Sequence, residues 1–132
     1  MKIYLASYFE EENHGPGRKI GVSPGKPDSI DYECEQVHRG LGPEDIYWEY
    51  HKLKKSDPDK ASEYFNKEYE AKLQKFVDEV KKAANQQNTT VFKLIGFEDG
   101  DTLLSWEKAG NTSFRTTLAE YLRKLGYDVT EN

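Results

Sequence analysis

One amphipathic segment in the middle of the chain constrains the fold more than any other feature. Its apolar residues recur at steps of three and four, the spacing that lines one face of an α-helix. They are Ala61, Tyr64, Phe65, Tyr69, Leu73, Phe76, Val77 and Val80. Asp57 precedes the run as an N-cap, and Pro58 suits the first helical position, where a missing N–H costs nothing. We therefore expect a long helix that packs one face on a sheet and exposes the other to water.

Segments rich in strand-forming residues lie on both sides of this helix. Residues 2–9 read as a buried first strand, and 19–23 as a shorter one stopped by a Pro-Gly pair. Residues 102–107 follow an Asp-Gly turn signal and read as a clear strand, and 128–130 as a short edge strand. These segments predict a sheet with strands spread along the whole chain.

Further helices separate these strands. Residues 44–54 are expected to be helical, and a last amphipathic helix that begins near Phe114 should end at Gly126. The pattern over 91–97 is ambiguous between helix and strand, although its apolar steps favour a helix. Alternating strands and helices in 132 residues predict one α/β domain, 1–132, a small three-layer fold with a mostly parallel central sheet flanked by helices.

The charge balance restricts the partners. The net charge is −5 and the sequence pI is about 5.3, whereas a protein that neutralises many phosphates carries a basic surface. Duplex nucleic acid is therefore not expected, but a small anionic ligand held by a local cluster of cations is compatible with an acidic whole. The sequence does not indicate an oligomeric state.

Cysteine and histidine usage also limits the chemistry. A single cysteine, Cys34, makes neither an internal disulfide nor a zinc cage, so a cytoplasmic protein is expected. The apolar stretch at the N-terminus is too short for a signal peptide or a membrane span. His14, His38 and His51 lack metal-ligand spacing, so we expect neither a metal nor a cofactor. Cys34 and His38 are four residues apart, which is weak evidence for a catalytic nucleophile–base pair, so we expect them on an ordinary helix or loop surface.

Ligands of open α/β sheets bind beyond the carboxyl ends of the strands, and two such places can be named from the sequence. One follows the first strand and the other follows the strand at 102–107. The candidate ligand-binding residues are Ser7, Tyr8 and Arg18 at the first place, and Ser105, Trp106, Glu107 and Arg115 at the second. The loop at 10–19 is either solvated and mobile or a lid that carries His14 or Arg18 over a ligand.

Arg115 is the unusual residue among these candidates. It is expected in the first turn of the last helix, where the helix dipole disfavours a cation. An anion shared by the guanidinium and the helix N-terminus would offset that cost. Glu107, just across the loop, could itself be that anion. A structural ion pair and a functional pocket therefore both remain open.

The segment 102–115 reads Thr-Leu-Leu-Ser-Trp-Glu-Lys-Ala-Gly-Asn-Thr-Ser-Phe-Arg and leads into the helical residues 118–122. It resembles the bacterial family called domain of unknown function 488, in which leucine-leucine-cysteine-aromatic-glutamate is followed by a short loop and cysteine-histidine-arginine. Supporting similarities occur at 3–8, 20–27, 32–33 and 64–73. The resemblance implies an α/β fold and a pocket at this loop.

The chain departs from the family pattern at chemically important positions. Ser105 stands where the family has its first cysteine, and Ser113-Phe114 where it has cysteine-histidine. Glu107 and Arg115 match. A reaction that uses a thiolate or the imidazole is therefore not expected here, because serine is a poor nucleophile without a base.

Three hypotheses follow. The first is a binding protein that captures a small phosphorylated or nucleotide-like ligand, as would suit a phage or mobile-element protein that sequesters a signalling nucleotide. The second is an enzyme acting on a nucleotide or sugar phosphate, with Glu107 as general base or nucleophile and with help from Tyr8 and His14. The third is a protein-interaction module that uses an exposed Trp48-Glu49-Tyr50 region. Otherwise Trp48 and Trp106 are expected in the core or in a pocket wall.

Overall fold

The computed structural model describes residues 1–23, 25–36, 39–106 and 114–132. Four strands form one sheet, in which every neighbouring pair is parallel and the order is β2-β3-β1-β4. The strands are β1 (Lys2–Ser7), β2 (Lys19–Gly21), β3 (Asp101–Ser105) and β4 (Asp128–Glu131). The predicted α/β class with a parallel sheet is therefore confirmed.

The described residues form four α-helices beside the sheet. They are α1 (Glu44–Ser56), α2 (Pro58–Gln86), α3 (Val91–Ile95) and α4 (Arg115–Lys124). The N-cap prediction for the long helix is confirmed, because the Asp57 carboxylate accepts a hydrogen bond from the Lys60 backbone N–H at 3.2 Å. The helical interpretation of the ambiguous segment is also confirmed. None of the described helices combines the length and the apolar character that a membrane crossing requires.

The helices share one large core on one face of the sheet. Ile3 and Leu5 of β1 point into this core, where they join buried side chains of α2 and α4 such as Leu73 and Leu118. In a strand, alternate residues point to opposite faces, so Ser7 of β1 and Ser105 of β3 also belong to this helical face.

The opposite face of the sheet is covered by irregular chain. Ala6, Tyr8 and Leu104 form a second buried cluster, and the residues packed on it from outside are Ile30, Tyr32 and Cys34. The second covering layer therefore consists of loop segments, where flanking helices were expected. We call this side the loop face.

The connections out of β1 and β3 leave the sheet in opposite directions. The chain after β1 passes over the loop face and across β3 to reach β2, and on its way the Gly15 backbone N–H donates to the Thr102 hydroxyl at 2.7 Å. The chain after β3 leads to α4 on the helical face and then across β1 to β4. Such a topological switch point opens a crevice beyond the carboxyl ends of the two strands. In this fold the switch point lies between β1 and β3, and we call the space beyond the carboxyl ends of these two strands the crevice.

Candidate functional site

Two serines line the carboxyl end of the sheet at this switch point. The parallel register of β1 and β3 pairs Ser7 with Ser105, and both side chains are buried. The Ser7 hydroxyl donates to the Trp106 carbonyl at 3.4 Å and accepts from the Phe9 backbone N–H at 3.2 Å. Ser7 thus ties the two chain exits together.

Arg115 joins this pair from the helical face. It is the first residue of α4, only 4% of it is exposed, and its Nη1 donates to the Ser105 hydroxyl at 2.9 Å. No acidic residue lies in the first turn of α4. The predicted position of Arg115 in that turn is confirmed, and so is its proximity to Ser105. A buried cation at a helix N-terminus carries a desolvation cost and a dipole cost.

Glu107 lies outside the described residues, as do Ser113 and His38. The pairing of Glu107 with Arg115, and the catalytic role of Glu107, therefore stay predictions.

Tyr8 lies at the same end of the sheet but on the loop face. Its side chain is fully buried, and its hydroxyl is bonded to the Ser23 hydroxyl at 3.2 Å and to the Gln36 amide at 2.7 Å. Burial raises the pKa of the Tyr8 phenol, which keeps it protonated at neutral pH. The structure thus gives Tyr8 a packing role beside the crevice.

Arg18 lies at the opposite end of the sheet from Arg115. Its Nη2 is 2.7 Å from a carboxylate oxygen of Asp101, a fully buried residue that begins β3. The hydrogen bond with Asp101 raises the pKa of Arg18. Four strand steps separate Asp101 from Ser105, roughly 13 Å. Arg18 is therefore not a neighbour of Arg115, and it does not lie at the carboxyl end of β1, where it was expected, because the loop before β2 returns to the amino edge of the sheet.

His14 does lie at the carboxyl end. Its Nε2 is 2.8 Å from the Ser7 carbonyl oxygen, an acceptor only, so Nε2 carries a proton. The imidazole packs edge-to-face on Tyr32, whose hydroxyl donates to the Tyr8 carbonyl at 2.6 Å. Burial raises the pKa of Tyr32 to about 12. These contacts anchor the loop to the end of β1. The sequence alone did not decide between a mobile loop and a lid.

Two exposed aromatic side chains, Phe9 and Trp106, stand beside the crevice. They are 42% and 45% exposed, and their ring centroids are 5.9 Å apart in an edge-to-face arrangement. Trp106 does not lie in the core, and its alternative place in a pocket wall stays a prediction. Sequence reasoning missed Phe9; its position directly after a strand end was the available signal. Trp48 is 69% exposed on α1. It therefore does not lie in the core, and the alternative prediction of an exposed Trp48 is confirmed.

A separate open cleft of about 410 Å³ borders β2. Its lining residues are Arg18, Lys19, Lys26, Glu33, Cys34 and Glu35. Burial raises the pKa of the Cys34 thiol, whose sulfur donates to the Glu35 carbonyl at 3.4 Å. A protonated thiol is a weak nucleophile, so this cleft does not supply thiolate chemistry. Among the described residues, no group of three histidine, cysteine or acidic side chains could hold a metal ion.

Comparison of the chain with protein-family models, with curated proteins and with solved structures found no match. The resemblance to domain of unknown function 488 therefore stays a prediction.

Proposed function

We propose that the chain binds a small phosphorylated or nucleotide-like ligand in the crevice between β1 and β3, with Arg115 as the main anion-binding group. One observation carries this proposal: the buried guanidinium of Arg115 is held by Ser105 at the carboxyl ends of strands whose connections diverge. Ligands bind at this position in open α/β sheets.

The local electrostatics support an anion. A cation in the first turn of a helix opposes the dipole at a cost of roughly 0.3–1 kcal/mol, and the burial of Arg115 adds to that cost. A phosphate group suits this position, because its oxygens accept from a guanidinium in a charge-assisted pair and because a helix N-terminus also favours an anion. Ser105 fixes the direction of the guanidinium through one of its five N–H groups, so the group is oriented before a ligand arrives.

The same geometry does not support Ser105 as a nucleophile. A serine becomes a nucleophile when a general base takes its proton. Among the described residues, the Ser105 hydroxyl accepts a hydrogen bond from the guanidinium of Arg115. A guanidinium stays protonated in proteins and cannot act as that base. An oriented cation and a hydroxyl suit the recognition of an anion.

A thermal-shift screen tests the proposal. Wild-type protein is heated with inorganic phosphate, nucleoside phosphates, cyclic nucleotides and sugar phosphates, and any ligand that stabilises it is recovered and analysed by chromatography. A ligand at one hundred times its dissociation constant stabilises by about 2.7 kcal/mol, which raises the melting temperature of a domain of this size by about 10 °C.

Two arginine variants decide where the ligand binds. Arg115→Ala should abolish the ligand-induced shift. Arg123→Ala is the matched control: Arg123 lies in the last turn of the same helix and donates to the Val129 carbonyl at 2.9 Å, and this variant should keep the shift. Equal shifts in both variants would refute a site at Arg115. If the recovered ligand is chemically altered, the enzyme hypothesis is supported and binding without turnover is refuted.

A further inference from the structure

We infer that Trp106, supported at its side by Phe9, is a stacking platform for a planar aromatic ring, which makes the ligand a mononucleotide rather than a sugar phosphate. The inference rests on the proposed anion site at Arg115 and specifies the other half of its ligand. The two rings are exposed large apolar side chains, and each lies just beyond the carboxyl end of its strand, Phe9 after β1 and Trp106 after β3.

Trp106 is held in one orientation although nearly half of it is exposed. Its indole N–H donates to the Gly25 carbonyl at 2.9 Å. Tyr8 and Phe9 pack against it edge-to-face, with ring centroids at 6.1 and 5.9 Å. Because the N–H is already bonded within the protein, the exposed part of the indole offers mainly apolar ring surface. A fixed ring binds a flat partner at a lower entropic cost than a mobile one.

The platform is continuous with the anion site. Trp106 directly follows Ser105, so their Cα atoms are about 3.8 Å apart. The Ser105 hydroxyl meets Arg115 on the helical face, and the Trp106 ring meets Tyr8 on the loop face. A ligand that crosses the end of β3 can therefore contact both. Its anionic group would bind Arg115 and its flat ring would stack on Trp106.

The charge of the chain favours a small ligand over a polymer. Stacking platforms that bind single-stranded nucleic acid are combined with a positively charged groove that follows the backbone, whereas this chain carries a net charge of −5. Trp48 provides an internal comparison. It is more exposed than Trp106, at 69%, but it lies on α1 and does not belong to the segments that leave β1 and β3.

Fluorescence of a single tryptophan reports on the platform. The chain has two tryptophans, so Trp48→Phe leaves Trp106 as the only one. The probes are the four ribonucleoside 5′-monophosphates, the corresponding nucleosides, ribose 5-phosphate and inorganic phosphate. At least one monophosphate should change the Trp106 emission saturably. It should also bind about 5- to 150-fold more tightly than ribose 5-phosphate, the range expected for one stacked base.

Variants of Trp106, measured by calorimetry, separate stacking from folding. Trp106→Leu should weaken monophosphate binding by about the same 5- to 150-fold and leave ribose 5-phosphate binding unchanged. Trp106→Phe should restore most of the affinity, because it keeps an aromatic face. Equal affinity of the monophosphates and ribose 5-phosphate would overturn the platform, and so would a Trp106→Leu variant with unchanged monophosphate affinity.

The two proposals fail in different ways. If nucleosides bind as tightly as monophosphates, and Arg115→Ala changes neither, the platform stands and the anion site is refuted. If ribose 5-phosphate binding depends on Arg115 while no monophosphate responds to Trp106→Leu, the anion site stands and the platform is refuted.

Discussion

Replacing Asp101 with alanine tests how the amino edge of the sheet is held. The Asp101 carboxylate is fully buried and accepts four hydrogen bonds. Two come from the Arg18 side chain, at 2.7 and 3.3 Å, and two come from the backbone N–H groups of Arg18 and Glu98, at 3.1 and 2.8 Å. The substitution leaves one cation and two N–H donors without this acceptor.

The magnitude follows from the burial of the two partners. Removing one member of a buried ion pair costs about 3–5 kcal/mol. The Arg18 side chain is 34% exposed, so water partly solvates it after the substitution and the lower end of that range applies. A loss of about 3 kcal/mol lowers the melting temperature of a 132-residue domain by about 11 °C.

Urea denaturation followed by circular dichroism measures the effect, with Asp128→Ala as the matched control. Asp128 also faces a cation, Lys2 at 3.4 Å, but its side chain is 74% exposed, so its loss should cost less than about 0.5 kcal/mol. A double-mutant cycle with Arg18→Ala should give a coupling energy above about 1 kcal/mol. Losses for Asp101→Ala and Asp128→Ala that agree within 0.5 kcal/mol would refute the reasoning.

Two further substitutions test the packing on either face of the sheet. Burial raises the pKa of Tyr127 from 10.0 to about 12, so the stability that its neutral form contributes is present below pH 10 and is lost as the pH rises through 12. Urea titrations at pH 8 and pH 12 should therefore show wild type losing about 2–3 kcal/mol more than Tyr127→Phe; equal losses would contradict the buried phenol. On the loop face, a Cβ at Gly21 would collide with Gln36 and the Tyr8 hydroxyl, so Gly21→Ala should cost about 1–3 kcal/mol in thermal unfolding. Gly25→Ala, which meets open space, should stay within about 0.5 kcal/mol, and a similar loss in both variants would refute the close packing.

The elements that could be predicted from the sequence are those with a local signal. The N-cap at Asp57 and the apolar steps that follow it define α2, and the Asp99-Gly100 turn marks the start of β3. The alternation of strands and helices indicated the parallel sheet. The layer on the loop face could not be predicted. Ala6 and Leu104 show that this face of the sheet is buried, but apolar strand residues do not indicate whether a helix or a loop covers them.

The candidate site was predictable only in part, for a topological reason. Arg115 and Ser105 are ten residues apart in sequence, and each lies next to a visible strand or helix end, so their meeting could be anticipated. Arg18 follows β1 in sequence as well, but it directly precedes β2, and a residue before a parallel strand lies at the amino edge of the sheet. The predicted strand at 19–23 already carried that signal. Phe9 was missed because an aromatic residue after a strand reads as part of that strand.

The central claim is that Arg115 binds the anionic group of the ligand, and nuclear magnetic resonance of arginine side chains tests it most directly. The chain has four arginines, Arg18, Arg39, Arg115 and Arg123, so their Nε–H signals can be assigned by single lysine substitutions. During titration with a ligand found in the thermal-shift screen, the Arg115 signal should move saturably with the calorimetric dissociation constant, while the Arg18 and Arg123 signals stay in place. An Arg115 signal that does not move at saturation would contradict the account.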